Sequence, residues 1–147
     1  MKIKNKYSVK MLTTYIFTII LRDNLRVSND YLTELKNNFQ KRPEKYKEIF
    51  RKPTEIYYNF KNGLGGDCDD YTTLISYIAY KLKIPFRLVF LIKNDSVFHI
   101  YPELYKAKKW QNWDRWNPKL IDKDIKKLII EPCYYAKIGN NNVKFCL

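Results

Sequence analysis

The run from Gly65 to Pro85 constrains this chain more than any other segment. Asp67 is a natural helix N-cap, and Asp69 and Asp70 suit the positive start of a helix. Tyr71, Leu74, Ile75, Ile78, Ala79 and Leu82 follow as one apolar stripe at helical spacing. Pro85 closes the helix, and Ile84 before it is pushed out of helical geometry. Beyond Pro85 the apolar period changes from helical to alternating. The chain must therefore bury a helix with one apolar face beside strands that begin almost at once.

The flanking segments extend this picture. Residues 9–21 read as a helix, with Leu12, Tyr15, Ile16, Ile19 and Ile20 on one side. Ser28-Asn29-Asp30 is a turn and N-cap for a second helix carrying Tyr31, Leu32, Leu35 and Phe39, ended by Pro43. A short helix with Tyr46, Ile49 and Phe50 is expected before Pro53, and another turn of helix at 56–60. Three of the 4 glycines follow in Asn62-Gly63-Leu64-Gly65-Gly66. Strands are expected at 86–93, 97–105 and 110–116, with turns at Asn94-Asp95 and at 106–109. Residues 119–128 read as a short helix or loop. Residues 129–138 and 143–147 read as a final hairpin around Gly139. Helices first and antiparallel strands after give an α+β fold, a helical half packed on a small antiparallel sheet. At 147 residues the chain holds one domain: a helical lead-in 1–62, a core 63–118 and a C-terminal hairpin 119–147.

Composition narrows the partners. Hydrophobic residues make up 46%, which excludes a disordered chain. Lys and Arg number 28 against 15 acidic residues, a net charge of +13. That balance favours an acidic protein, nucleic acid or an anionic surface, although a solvated lysine-rich face explains it as well. Lys2, Lys4, Lys6 and Lys10 precede an apolar stretch at 11–21 that resembles a signal h-region. No small-residue cleavage site follows, and the stretch is shorter than the roughly 20 residues that span a bilayer. We expect a buried helix, no transmembrane segment, and an intracellular or virion-associated protein. With three cysteines and no CxxC, neither a disulfide framework nor a metal site is expected.

Cys68 sits on the first helical turn, where unsatisfied N–H groups and positive potential favour a thiolate and an oxyanion. Gly65 and Gly66 before it would let a substrate backbone approach. Asp67, Asp69 and Asp70 work against the thiolate, so a cationic partner is needed. N-capping explains these aspartates more simply than a calcium site does. His99 is the sole histidine, so a Cys–His pair must use it. On its strand His99, Tyr101 and Glu103 share one face, and Phe98, Ile100 and Leu104 the other. A turn centred on Lys106-Ala107 sets Asp114 directly opposite His99, about 5 Å away. There it can hold the imidazole, as the orienting carboxylate of a triad does. A one-residue error in the turn is expected to lose that pairing. Glu103 is the rival carboxylate and Asp122 a third.

Gly-Gly-Asp-Cys-Asp-Asp at a helix start, a helix ending in Lys-Ile-Pro-Phe-Arg, then Phe-His-Ile-Tyr-Pro-Glu, then Trp-Asp-Arg-Trp occur in this order. Together they resemble the transglutaminase-like superfamily of papain-type cysteine enzymes. The likeness covers about a third of the chain, from Gly65 to Pro118. It implies a core with the cysteine at the start of the central helix, and the roles of nucleophile, base and orienting carboxylate for Cys68, His99 and Asp114. Asp67, Tyr101 and Glu103 are the supporting candidates. The implied activity is cysteine-dependent acyl transfer on a protein or peptide, as a peptidase, amidase or transamidase, with no cofactor. Pro102 departs from the pattern and suggests an edge strand or bulge. The alternative is a non-catalytic structural or assembly protein, such as a virion component, that keeps the fold as a binding module.

Overall fold

The computed structural model describes residues 9–41, 50–116 and 124–132. Among these are four helices, α1 (Val9–Arg22), α2 (Asn29–Asn38), α3 (Pro53–Lys61) and α4 (Cys68–Lys81), and four strands, β1 (Phe86–Lys93), β2 (Ser96–Lys106), β3 (Lys109–Asn112) and β4 (Lys126–Ile130). The strands form one antiparallel sheet in the order β3-β2-β1-β4. This is the expected small α+β fold, with helices first and sheet after. The expected helix around Tyr46 and Ile49, and the segments 133–138 and 143–147 of the final hairpin, lie outside the described residues.

α4 is the centre of the core. Its start carries a full capping box: the Asp67 carboxylate accepts from the Asp69 and Asp70 amides, and Asp70 accepts from the Asp67 amide. Its end is a Schellman turn, with Ile84 N–H donating to Ala79 O at 2.8 Å and Lys83 N–H to Tyr80 O at 3.2 Å. Lys83 takes the left-handed conformation, φ 60°, that glycine usually fills at this place. Between these caps the apolar stripe and most of the other face are buried. Leu12, Ile16 and Phe17 of α1, Leu32 and Leu35 of α2, and Ile56 of α3 share one cluster with α4 and with Phe86, Leu88, Phe90, Ile100 and Leu104 of the sheet.

Two features of the sheet differ from expectation, and both matter to the site. The first is a bulge. Leu91 pairs with His99 but Ile92 pairs with Val97, so Phe98 opposes nothing on β1. Phe98 consequently packs with Val89, Leu91 and Tyr101 on the face that carries His99, not with Ile100 and Leu104. The second is the β2–β3 turn. It centres on Ala107-Lys108, both at positive φ, and pairs Lys106 with Lys109 and Glu103 with Asn112. Nothing in Ala-Lys signals a tight turn, which is why its centre could not be read from the sequence.

β3 is also shorter than expected, ending at Asn112 instead of Trp116. Pro102 supplies the reason. It lies in β2, a central strand, so it is neither at an edge nor at the bulge. Its carbonyl accepts from Trp113 N–H at 3.1 Å, but as a proline it has no N–H to return to the Trp113 carbonyl. The ladder stops there. Further on, Lys126 to Leu128 belong to β4 and pair with β1, where a short helix or loop was expected. Among the described residues no helix is long and apolar enough to cross a membrane.

Candidate active site

The structure brings His99 and Asp114 together. His99 Nε2 lies 2.8 Å from Asp114 Oδ2, and the two residues are 7% and 3% exposed. The contact is not the direct cross-strand pairing expected from the sequence. With the turn centred one residue later, the β2–β3 register moves by two residues, and Asp114 lies beyond the end of β3. A two-residue shift preserves the sheet face, so the carboxylate stays on the side of His99. The one-residue shift of the turn loses the direct pairing, as expected of such an error, but keeps the face.

Asp114 is aimed by the chain around it. Asn112 Oδ1 accepts from the Asp114 N–H at 2.7 Å, and Asp114 Oδ1 accepts from the Trp116 N–H at 3.2 Å. These are two successive Asx turns, in which a short polar side chain takes the amide two residues on. They carry the chain out of the strand and fix both oxygens of Asp114: Oδ1 on backbone, Oδ2 on imidazole. Trp116 then packs edge-on to Phe39 and Tyr71, and Arg115 Nε donates to Phe39 O at 3.1 Å.

The first turns of α4 are bonded to the strand residues next to this pair. Cys68 is the first residue of the helix and is 3% exposed. Tyr71 and Thr72 lie three and four residues on, above Cys68 on the same helix face. The Tyr71 hydroxyl donates to Trp113 O at 2.7 Å, and the Thr72 hydroxyl donates to Ile100 O at 3.3 Å. These bonds land one residue from Asp114 and one residue from His99. Tyr71 thus takes the carbonyl that Pro102 cannot serve. Burial, and then the negative charge of Asp114, make the Tyr71 hydroxyl a much weaker acid than usual, so it remains a donor.

The supporting candidates divide. Asp67 is the N-cap of α4 and is 3% exposed. Tyr101 lies beside His99, ring centroids 5.9 Å apart, and burial first, with the charges of Glu103 and Asp114, raises its pKa against the lowering effect of Lys127. Glu103 is engaged elsewhere: Arg87, directly opposite on β1, donates to it at 2.7 Å. It is Asp114, not Glu103, that holds the imidazole. Asp122 lies outside the described residues. Gly65 and Gly66 have a structural duty that the sequence reading missed. A Cβ on Gly65 would stand 1.8 Å from Gln40 O, and one on Gly66 would stand 2.6 Å from Asp70 Oδ2. The glycines admit the protein's own backbone and capping carboxylate, with Gly66 N–H bonded to Gln40 O at 3.0 Å.

Sequence reasoning also passed over Asn112, Tyr71 and Arg51. Asn112-x-Asp114-x-Trp116 carries the spacing of linked Asx turns and was open to detection. Tyr71 was read only as part of the apolar stripe. Arg51 pairs with Asp70 at 3.1 Å across 19 residues, and no local signal marks it. Among the described residues no group of three or more His, Cys, Asp or Glu is placed to hold a metal ion. No family model, curated protein or solved structure matches this chain.

Proposed function

We propose that this protein is a cysteine-dependent acyl-transfer enzyme of the transglutaminase-like type, acting on a protein or peptide amide. The observation that carries the reading is the buried His99–Asp114 pair at 2.8 Å, beside the strands that the first turns of α4 grip. With Nε2 held by Asp114, Nδ1 is the nitrogen that serves a thiol. In the proposed reaction the Cys68 proton passes to His99 Nδ1 and the sulfur attacks the substrate carbonyl carbon. The Cys68 N–H, at the positive end of α4, donates to the oxyanion. The tetrahedral intermediate collapses, the C–N bond breaks, and His99 returns the proton to the departing amine. Water then cleaves the thioester in a peptidase or amidase; an amine takes the acyl group in a transamidase. Asp114 holds the ring and stabilises the imidazolium throughout. No cofactor enters this scheme.

The near-complete burial of Cys68 and the net charge of +13 favour a second reading. In it the fold is a structural or assembly module, virion-associated or intracellular, that binds acidic protein or nucleic acid. Limiting thiol reagent near neutral pH, followed by peptide mapping, separates the two. The enzyme reading predicts preferential modification of Cys68 over Cys133 and Cys146. Preferential modification of either of the others contradicts it.

A further inference from the structure

The aspartates around Cys68 oppose the chemistry proposed for it. Asp67, Asp69 and Asp70 all lie within two residues of the thiol and are 3%, 2% and 3% exposed. Negative charge this close, and this poorly screened, disfavours a thiolate. The positive end of the helix offsets only part of it, since a helix terminus carries about half an elementary charge.

Arg51 meets this charge. Its Nη1 lies 3.1 Å from Asp70 Oδ2, and the two side chains are 11% and 4% exposed. The same Oδ2 accepts from the Asp67 N–H at 3.2 Å, so the guanidinium is joined to the capping box itself. Arg51 arrives from the segment leading into α3, where Pro53 opens the helix. Burying a guanidinium is costly unless it is paired, and here the pair is inside the site, not on the solvated surface where most lysine charge lies.

We propose that Arg51 is a positioning residue of this site: its ion pair with Asp70 neutralises the start of α4 and permits the Cys68 thiolate to form. The inference rests on the reading of Cys68 as the nucleophile. Among the described residues, the charged and titratable groups on or beside the helix start are Asp67, Asp69, Asp70 and Tyr71, Arg51 before α3, Lys41, whose backbone bridges to Gly66, and Asp114 and Arg115, whose charges reach Tyr71. Among them Arg51 and Asp70 form the pair whose net charge a substitution can change without touching the His99–Asp114 bond.

The test is the pH profile of Cys68 alkylation by iodoacetamide, a neutral reagent, read by peptide mapping in the full chain. Arg51→Gln removes the cation beside Asp70 and raises the midpoint by about one pH unit. Asp70→Asn removes an anion from the helix start, keeps the Arg51 charge, and lowers the midpoint by a similar amount. The double variant returns close to the parent, and Arg51→Lys, which keeps the charge, stays there. A residue with a merely structural role would shift both single variants in the same direction. Should Arg51→Gln not fold, the downward shift of Asp70→Asn and the parental midpoint of Arg51→Lys decide the matter. An unshifted Arg51→Gln or an unshifted or raised Asp70→Asn overturns the proposal. His99→Ala distinguishes the two failures. If it alters the profile while Arg51→Gln does not, the inference falls and the nucleophile reading stands. If it too is silent, the nucleophile reading falls as well.

Discussion

Cys68 stands where a helix begins, and Asp114 stands where a strand ends. The helix start is fixed by redundancy: a reciprocal capping box, an ion pair from Arg51, and two glycines wedged against Gln40 and Asp70. The strand end is fixed in series. Pro102 stops the ladder, Asn112 turns the chain, Asp114 turns it again, and Tyr71 fills the carbonyl left over. Redundant holding tolerates the loss of one bond, whereas serial holding transmits each loss to the next residue. The capping box at Cys68 is local in sequence, whereas the contact between His99 and Asp114 depends on tertiary structure.

The largest expected effect tests the helix start. Gly65→Ala drives a Cβ into the Gln40 carbonyl, 1.8 Å away, and backbone cannot swing aside as a side chain can. We expect a loss of about 3 kcal/mol in urea unfolding. An unchanged midpoint would show that the wedge is not fixed.

Tyr71→Phe tests the strand end. It leaves the buried Trp113 carbonyl without its 2.7 Å donor, at a cost of about 1–2 kcal/mol. Serial holding predicts that the same variant also slows alkylation of Cys68, because Asp114 is no longer aimed. Stability loss with an unaltered alkylation rate would break the comparison.

How far each region was legible follows from the same physics. The helix over 68–81 and its Asp67 cap were readable because every signal lies within a few residues: cap, stripe and closing proline. The presence of strands at 86–93 and 96–106 was readable from alternation. The bulge at Phe98 was not, since it arises from the match to Leu91 and Ile92 on another strand. Asp114 was chosen from the right face with the wrong partner geometry. Parity along a strand is local information, but the turn centre at Ala107-Lys108 depends on a register that those two residues do not encode. Pro102 was noticed and misplaced: its missing N–H mattered through Trp113, which only the fold brings opposite.

That turn gives the smallest expected effect. Ala107 and Lys108 sit at φ 53° and 61°, a region that favours Asn and Gly. Ala107→Asn with Lys108→Gly should stabilise the protein by about 1 kcal/mol and leave Cys68 alkylation untouched, because the register is already set. A change in alkylation would mean that the turn, not the two Asx turns, aims Asp114.

The central claim is that Cys68 draws its reactivity from His99 and Asp114. It is tested most directly by the alkylation rate of Cys68 against pH in the parent, His99→Ala and Asp114→Ala, each checked for an intact fold by circular dichroism. The account predicts a sharp fall near neutral pH for His99→Ala, and a smaller fall in the same direction for Asp114→Ala, which orients the ring without moving the proton. Three superimposable profiles would contradict it, leaving exposure alone in control of the thiol and the fold as a binding module.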